Sequence, residues 1–396
     1  MAELGTEGTN GALDGIVAVD ASGHVAGPYA GSLLGDLGCE VIKVELPGTG
    51  DPARGRDGYS PVFRVLNRNK KSLTLNLREP EGREVLHRLL ERADILIESF
   101  RPKTRKDLGL DYEELRQRNP GLIHCSVTAF GQSGPYESRP GFESIGQAVS
   151  GMLSLLTDPA DPGMGGFSIT AHATGVFAAY GILAALAARS RTGAGQFVDA
   201  SLLQASMGFI ESHFAEFLNG GEAVTPKNFQ RGRLFCLVAE DGRPLLVHLA
   251  THGRSWEALL RVIGRPDLLD DARFATYEDR AAHHDELAAI LGEAIGGAPR
   301  AAWLERLGGE DLSHAPIYDA EEVFRDPQVR HLGLPREIHH PERGATRLIG
   351  SSVNLSATPP RLARPAPLAG ENTDEVLRDL GYGSEAIRSL RERGVI

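Results

Sequence analysis

Gly15–Glu45 reads GIVAVDASGHVAGPYAGSLLGDLGCEVIKVE, and the fold turns on how this stretch is parsed. Gly15–Ser22 is a short apolar run bounded by turn residues, the pattern of a buried strand. Gly27–Gly38 reads as a helix that stops at a glycine, where a left-handed residue can close the last turn. Glu40–Glu45 returns to strand. The alternation continues outward. Ser72–Leu77 is a strand, and Pro80 opens a helix at the position where a fixed φ costs nothing. Val85, Leu86, Leu89 and Leu90 give that helix an apolar stripe. Asp94–Phe100 is a strand, Tyr112–Gln117 a short helix and Leu122–Val127 a strand. Strands alternating with helices predict an α/β fold with a parallel, doubly wound sheet, whose ligands bind at the carboxyl ends of the strands.

Two long apolar helices are expected over Ala171–Arg189 and Leu202–Asn219, with the strand Gln196–Ala200 between them. The texture then changes. Leu234–Ala239 and Pro244–Leu249 flank Glu240-Asp241-Gly242-Arg243, a hairpin signal. Amphipathic helices follow near Arg254–Ile263, Arg280–Ile295 and Pro299–Leu307. Residues 226–326 therefore read as a smaller α+β domain, with 1–225 and 327–396 forming the larger one. Prolines 359, 360, 365 and 367 mark an extended crossing segment before two short helices in Thr373–Gly394.

The 396 residues suit about two cores. A net charge of −11 argues against a nucleic-acid partner, which needs a basic footprint. No apolar run is read as a membrane span, and the polar, Gly-rich start is not read as a signal peptide, so a cytoplasmic location is expected. Cys39, Cys125 and Cys236 are far apart and make neither a metal nor a disulfide framework; Cys39 and Cys125 are expected in the core.

No phosphate loop, nucleophile elbow or HExxH motif is present, and no metal site is expected. Gly23, Gly27, Gly31 and Gly35 recur every four residues, which serves either close helix–sheet packing or backbone approach by a phosphate-bearing ligand. Arg101, Lys103, Arg105 and Lys106 crowd a strand's carboxyl end, as a solvated loop or a phosphate site. His172 opens a helix and is a candidate catalytic base or, alternatively, a satisfied or surface histidine. Asp158 and Asp161 stand in the Pro/Gly loop before it.

Asp20–Pro28 (DASGHVAGP), Gly38–Glu45 (GCEVIKVE), Asn67–Leu77 (NRNKKSLTLNL), Glu98–Pro102 (ESFRP), Gly131–Gly151 (GQSGPYESRPGFESIGQAVSG), Thr192–Leu202 (TGAGQFVDASL), Asp326–Gly333 (DPQVRHLG) and Ala366–Tyr382 (APLAGENTDEVLRDLGY) together resemble the family III coenzyme A-transferases, the formyl-CoA and carnitine-CoA transferase group. The resemblance runs through nearly the whole chain in order. It implies a Rossmann-like large domain built from both chain ends, an inserted small domain, and two subunits threaded as interlocked rings. It also implies covalent catalysis: an aspartate attacks an acyl-CoA thioester to give an anhydride, the CoA thiolate converts this to an aspartyl-CoA thioester, and an acceptor acid takes the CoA by the reverse steps. CoA and acyl-CoA are then substrates, with no covalently bound cofactor. In the family the aspartate lies four residues before a glycine. Here Gly175 takes the glycine's place and Ala171 the aspartate's.

Glu143 matches an acidic position beside the family's active site, and reads equally as a helix N-terminal carboxylate. In the racemase branch a histidine–aspartate pair works across the acyl α-carbon; those positions are Phe142 and Ala171 here, so that route is not expected. The resemblance assigns CoA contacts to His24, Val25, Ala26, Leu75, Arg78, Ser99 and Phe100. Where the family usually has arginine before Leu-Gly, this chain has Asp107, with Arg105 or Lys106 to supply the charge. The expected function is a CoA-transferase subunit acting on acyl-CoA and an organic acid, paired with an aspartate-bearing paralogue or with itself. The alternatives are a homo-oligomeric acyl-CoA enzyme using no aspartyl intermediate and a non-catalytic acyl-CoA-binding protein.

Overall fold

The computed structural model describes residues 11–157, 163, 168–225, 231–250, 253–310 and 312–396. These fall into two compact units. One runs to Thr157, continues to Ser212 and returns over Gly333–Ile396; the other is His213–Leu332. The sequence reading set the corresponding bounds at 226 and 326.

In the first unit six parallel strands, β1 (Val17–Ala21), β2 (Glu40–Glu45), β3 (Lys70–Thr74), β4 (Ile95–Glu98), β5 (Ile123–Thr128) and β6 (Phe197–Ser201), lie in the order β3-β2-β1-β4-β5-β6. Winding reverses between β1 and β4, and a crevice opens above their carboxyl ends. The strands read as near-continuous apolar runs because both faces are covered. One face packs on the helix Pro80–Leu90 and the tail helices Thr373–Asp379 and Ser384–Glu392, through Val85, Leu86, Leu89, Leu377 and Leu390. The other packs on the helices Ala26–Asp36 and Ile169–Thr192, through Ala30, Leu34, Ala178, Ile182 and Ala185.

Those two helices approach closely at a glycine. A Cβ on Gly175 would stand 2.7 Å from the Ala26 carbonyl oxygen and 2.9 Å from the Tyr29 ring. The glycines of the first helix serve packing as well, since a Cβ on Gly31 would reach 3.1 Å from the Lys70 ammonium.

Ile169–Thr192, 24 residues long, is the one described helix long and apolar enough by length and composition to cross a bilayer. That corrects the sequence reading, which found no such run. Half of its apolar window is buried in the protein, so the core helix of an α/β unit explains it. Val176, Phe177, Tyr180 and Leu183, on one stripe of its outer face, are exposed.

The helix expected over Leu202–Asn219 is two, Leu202–Phe209 and Glu211–Leu218. They part at Ile210 (φ −110°, ψ 17°), after Gly208 loosens the last turn. The helix expected over Arg280–Ile295 likewise parts at His283 (φ −104°, ψ 27°). It starts earlier than expected, because Thr276 and Asp279 form a reciprocal capping box.

In the second unit β7 (Leu234–Val238), β8 (Pro244–His248) and β9 (Ser313–Pro316) form an antiparallel sheet. The first turn takes Gly242 at φ 74°. Phe235, Leu245, Val247, Trp256, Leu259, Phe274, Leu291 and Trp303 make this unit's own core. Back in the first unit, the tail adds the hairpin β10 (Pro335–His340) and β11 (Gly344–Ile349). It then closes the open edge of β3. Ser72 N donates to Asn372 Oδ1 (3.0 Å), Thr74 N to Thr373 Oγ1 (3.1 Å), and Asn372 N to the Ser72 carbonyl (2.9 Å).

Candidate functional site

The crevice at the switch point holds a cavity of about 390 Å3. Each wall follows from a strand end. After β1 come Gly23, His24, Val25 and Ala26; after β4, Ser99 and Arg101; β5 ends in Val127 and Thr128, followed by Ala129 and Phe130. Glu137 and Arg139 line it from the next loop, and Phe142, Glu143, Ala171 and Leu202 from three helix starts.

The β1 loop is held from below by charges buried in the sheet. Asp20, Lys43 and Lys70 are fully buried. Lys70 Nζ has all three donors used, on Asp20 Oδ2 (2.7 Å), the Pro28 carbonyl (2.7 Å) and Asn67 Oδ1 (2.9 Å). Lys43 Nζ donates to the Ser22 carbonyl (3.0 Å) and pairs with Asp51 (2.8 Å). Asp51 accepts the His24 amide (3.1 Å), Asp20 the Ser22 amide (3.1 Å), and Ser99 Oγ the Gly23 amide (3.2 Å). Held by these bonds, His24 is kept at φ 66°, a left-handed conformation that a non-glycine residue rarely adopts. Its ring stands edge-on to Phe142, with centroids 5.5 Å apart.

Burial alone would raise the Asp20 carboxyl; Lys43 and Lys70 more than reverse this and bring its pKa down to about 2. Burial lowers Lys70 to about 8, beyond what Asp20 restores, because Lys43 repels it from the same carboxylate. The three bonds that Lys70 Nζ donates, one of them an ion pair with Asp20, hold the cluster together.

Glu143 explains the other side of the cavity. It sits at the first turn of its own helix, Glu143–Val149, but its carboxylate serves the start of Ile169–Thr192. Oε1 accepts the Thr170 amide (2.8 Å) and the Gln147 side chain (2.7 Å), and Oε2 accepts the Ala171 amide (2.6 Å). These are the orphan donors that every helix start leaves. The carboxylate is a cap supplied from another helix. The methyl of Ala171, almost fully buried, faces the cavity beside it.

Of the residues singled out in the sequence, Gly23, His24, Val25, Ala26, Gly27, Ser99, Phe142, Glu143 and Ala171 meet at this cavity, together with Arg101. The others lie elsewhere. Leu75 is in the sheet core. Phe100 packs against the same core and donates its amide to Glu98 (2.6 Å). Arg78 and Lys106 are exposed and outside the lining. Arg105 is engaged internally, donating to Gln132 Oε1 (2.6 Å) with its guanidinium over the Phe197 ring. His172 turns from the cavity, bonded to the Ser168 carbonyl and edge-on to Tyr29. Asp158 and Asp161 lie outside the described residues.

The Cys39 thiol, pushed up to about 12 by burial, and Cys125, pushed up further, do not line the cavity. Among the described residues no group of three His, Cys, Asp or Glu side chains is placed to hold a metal ion. Sequence reasoning passed over Arg139, Thr128 and the Asp20–Lys43–Lys70 cluster. Lys43 could have announced the cluster, since a lysine inside the apolar run EVIKVE must be paired once that strand is buried.

A cavity at the switch point, walled by strand ends and helix starts, is where open α/β sheets bind their ligands. The model of CoA-transferase family III matches residues 13–373, and the chain belongs to that family. It is 34% identical to the succinyl-CoA:glutarate CoA-transferase of Mus musculus, over 97% of this chain and 90% of that one. It is 33% identical to the succinyl-CoA–L-malate CoA-transferase beta subunit of Chloroflexus aurantiacus, over 97% and 98%. A CAIB/BAIF family protein from Brucella suis has a similar structure, with TM-score 0.84 and 31% identity, covering 94% of this chain and all of that one.

Proposed function

We propose that this chain is the aspartate-lacking subunit of a cytoplasmic acyl-CoA:carboxylate CoA-transferase, holding a CoA thioester in the switch-point cavity while an aspartate-bearing related chain carries the covalent steps. The observation that carries this reading is Ala171, buried at the third position of the long helix on the cavity wall, where the side chain is a methyl. Of the cavity's two carboxylates, Glu137 stands in the loop before Phe142 rather than at the helix start where the family's aspartate lies, and the groups nearer Ala171 are engaged in holding backbone. Glu143 has both oxygens committed to amides, Ser99 Oγ accepts the Gly23 amide, and Thr128 Oγ1 accepts the Gly131 amide (3.0 Å). The exposed stripe Val176–Leu183 supports a second chain, because a row of large apolar side chains left in water is characteristic of an interface. The Chloroflexus relative is itself named a subunit.

On this reading Arg101 meets phosphate at the β4 end, the His24 loop lies along the CoA, and the acceptor is an organic acid. The test is adduct trapping. The chain is incubated with radiolabelled acyl-CoA and quenched with borohydride or hydroxylamine, alone and with a co-expressed aspartate-bearing paralogue. The expected result is CoA binding by this chain with adduct only on the partner. A labelled adduct on this chain at Glu143 or His172, or no CoA binding in any pairing, overturns the proposal.

A further inference from the structure

Resting on that reading of the cavity, we infer that Arg139 recognises a carboxylate at the far end of the acyl group, so that the site prefers dicarboxylyl thioesters to monocarboxylyl ones. Two other guanidiniums that follow strand ends are already committed, Arg54 to Glu45 and Arg105 to Gln132. Arg101 and Arg139 differ. Both line the cavity, and neither has a side-chain hydrogen bond or ion pair among the described residues.

The two stand in opposite electrostatic settings. Arg101 leads a basic run with Lys103, Arg105 and Lys106, where summed charge suits phosphates. Arg139 has no second cation beside it along the chain, and Glu137, two residues before it, lines the same cavity without pairing to it. A polyphosphate is poorly served there, whereas a single carboxylate fits a planar fork. The fork is also oriented. Its central carbon lies 3.7 Å over the Tyr136 ring, and Tyr136 stands edge-on to Phe130 at 5.5 Å, also on the cavity wall. Stacking on a ring face leaves the N–H edge free to donate. The wall offered by Ala171, Leu202, Val127 and Phe142 is apolar, suited to a short methylene chain.

The test uses the full-length chain and three ligands by calorimetry: CoA, pentanoyl-CoA and glutaryl-CoA. The last two differ by one terminal carboxylate. Wild-type protein should bind glutaryl-CoA about 10- to 100-fold more tightly than pentanoyl-CoA, the range for a charged hydrogen-bonded pair. Arg139→Gln should abolish that difference while leaving CoA and pentanoyl-CoA within twofold, and Arg139→Lys should restore it only in part. Equal weakening of all three ligands by Arg139→Gln would assign the residue to CoA phosphates and overturn the inference. So would equal affinity of wild-type protein for the two thioesters; in both cases CoA binding, and with it the proposed function, stands. Failure of the wild-type chain to bind any of the three, both alone and with the aspartate-bearing paralogue, overturns both.

Discussion

Replacing Glu143 by glutamine tests whether this carboxylate is a structural cap or a group held ready for chemistry. In the native site it accepts three bonds, from Thr170 N at 2.8 Å, Ala171 N at 2.6 Å and Gln147 Nε2 at 2.7 Å. Glutamine keeps one acceptor oxygen and turns an NH2 toward a donor, so one helix amide or the Gln147 side chain loses its partner. A hydrogen bond to a charged group contributes roughly 1.5–3 kcal/mol, and a negative charge at a helix start about 0.3–1 kcal/mol. Glu143→Gln should therefore destabilise the first unit by about 2–4 kcal/mol. For a unit of this size that is roughly 5–15 °C in Tm. Thermal unfolding and hydrogen exchange of peptides covering Ile169–Gly175 read the two halves of the argument, with exchange accelerating at Thr170 and Ala171 first. A Tm within 1 °C of wild type with unchanged protection there would refute the reasoning, and would leave Glu143 a free carboxylate in the cavity.

Lys70→Met strips Asp20 of its closest ion-pair partner and leaves Asn67 and the Pro28 carbonyl unmatched, so a loss of about 3–5 kcal/mol is expected in urea unfolding; a loss under 1 kcal/mol would mean the buried charge is not held by this lysine. Because the folded Asp20 pKa of about 2 lies below its ordinary 3.8, its contribution is complete above about pH 4 and drains as pH falls toward 2. The loss is about 2 kcal/mol, measured as the slope of unfolding free energy against pH, and Asp20→Asn should flatten that slope. Cys236 is exposed while Cys39 and Cys125 are buried, so a thiol reagent should modify one cysteine in native protein and three in urea; rapid native modification of two or more would show that the sheet opens.

How much of this was legible in the sequence depends on range. GIVAVDAS, EVIKVE and the glycine-terminated helix between them specify strand, helix and strand locally, and the parallel sheet follows from their repetition. Breaks such as those at Ile210 and His283 were invisible because the apolar pattern continues across them while the backbone does not. The cavity was legible wherever a strand end delivers its wall, as at His24–Ala26 and Ser99. The cap on the long helix was not. Glu143 and the amides it serves are separated by 27 and 28 residues and by a loop, and no local pattern ties a carboxylate to a distant helix start. The Asp20–Lys70 pair, 50 residues apart, was hidden for the same reason.

The closing of the β3 edge by the tail fixes a timetable for synthesis. Ser72 and Asn372 are 300 residues apart in the chain, yet they share the bonds that cover this edge. At about 5–20 residues per second a ribosome needs roughly 15–60 s to make the intervening length. Throughout that interval β3 offers a bare row of amides and carbonyls to any other strand nearby, other nascent chains included. The parallel sheet can assemble early, but its outer margin is sealed only when the last turn of the tail leaves the exit tunnel. Slowing translation after residue 350 should therefore raise the aggregated fraction far more than an equal pause before residue 60, when β3 has yet to emerge.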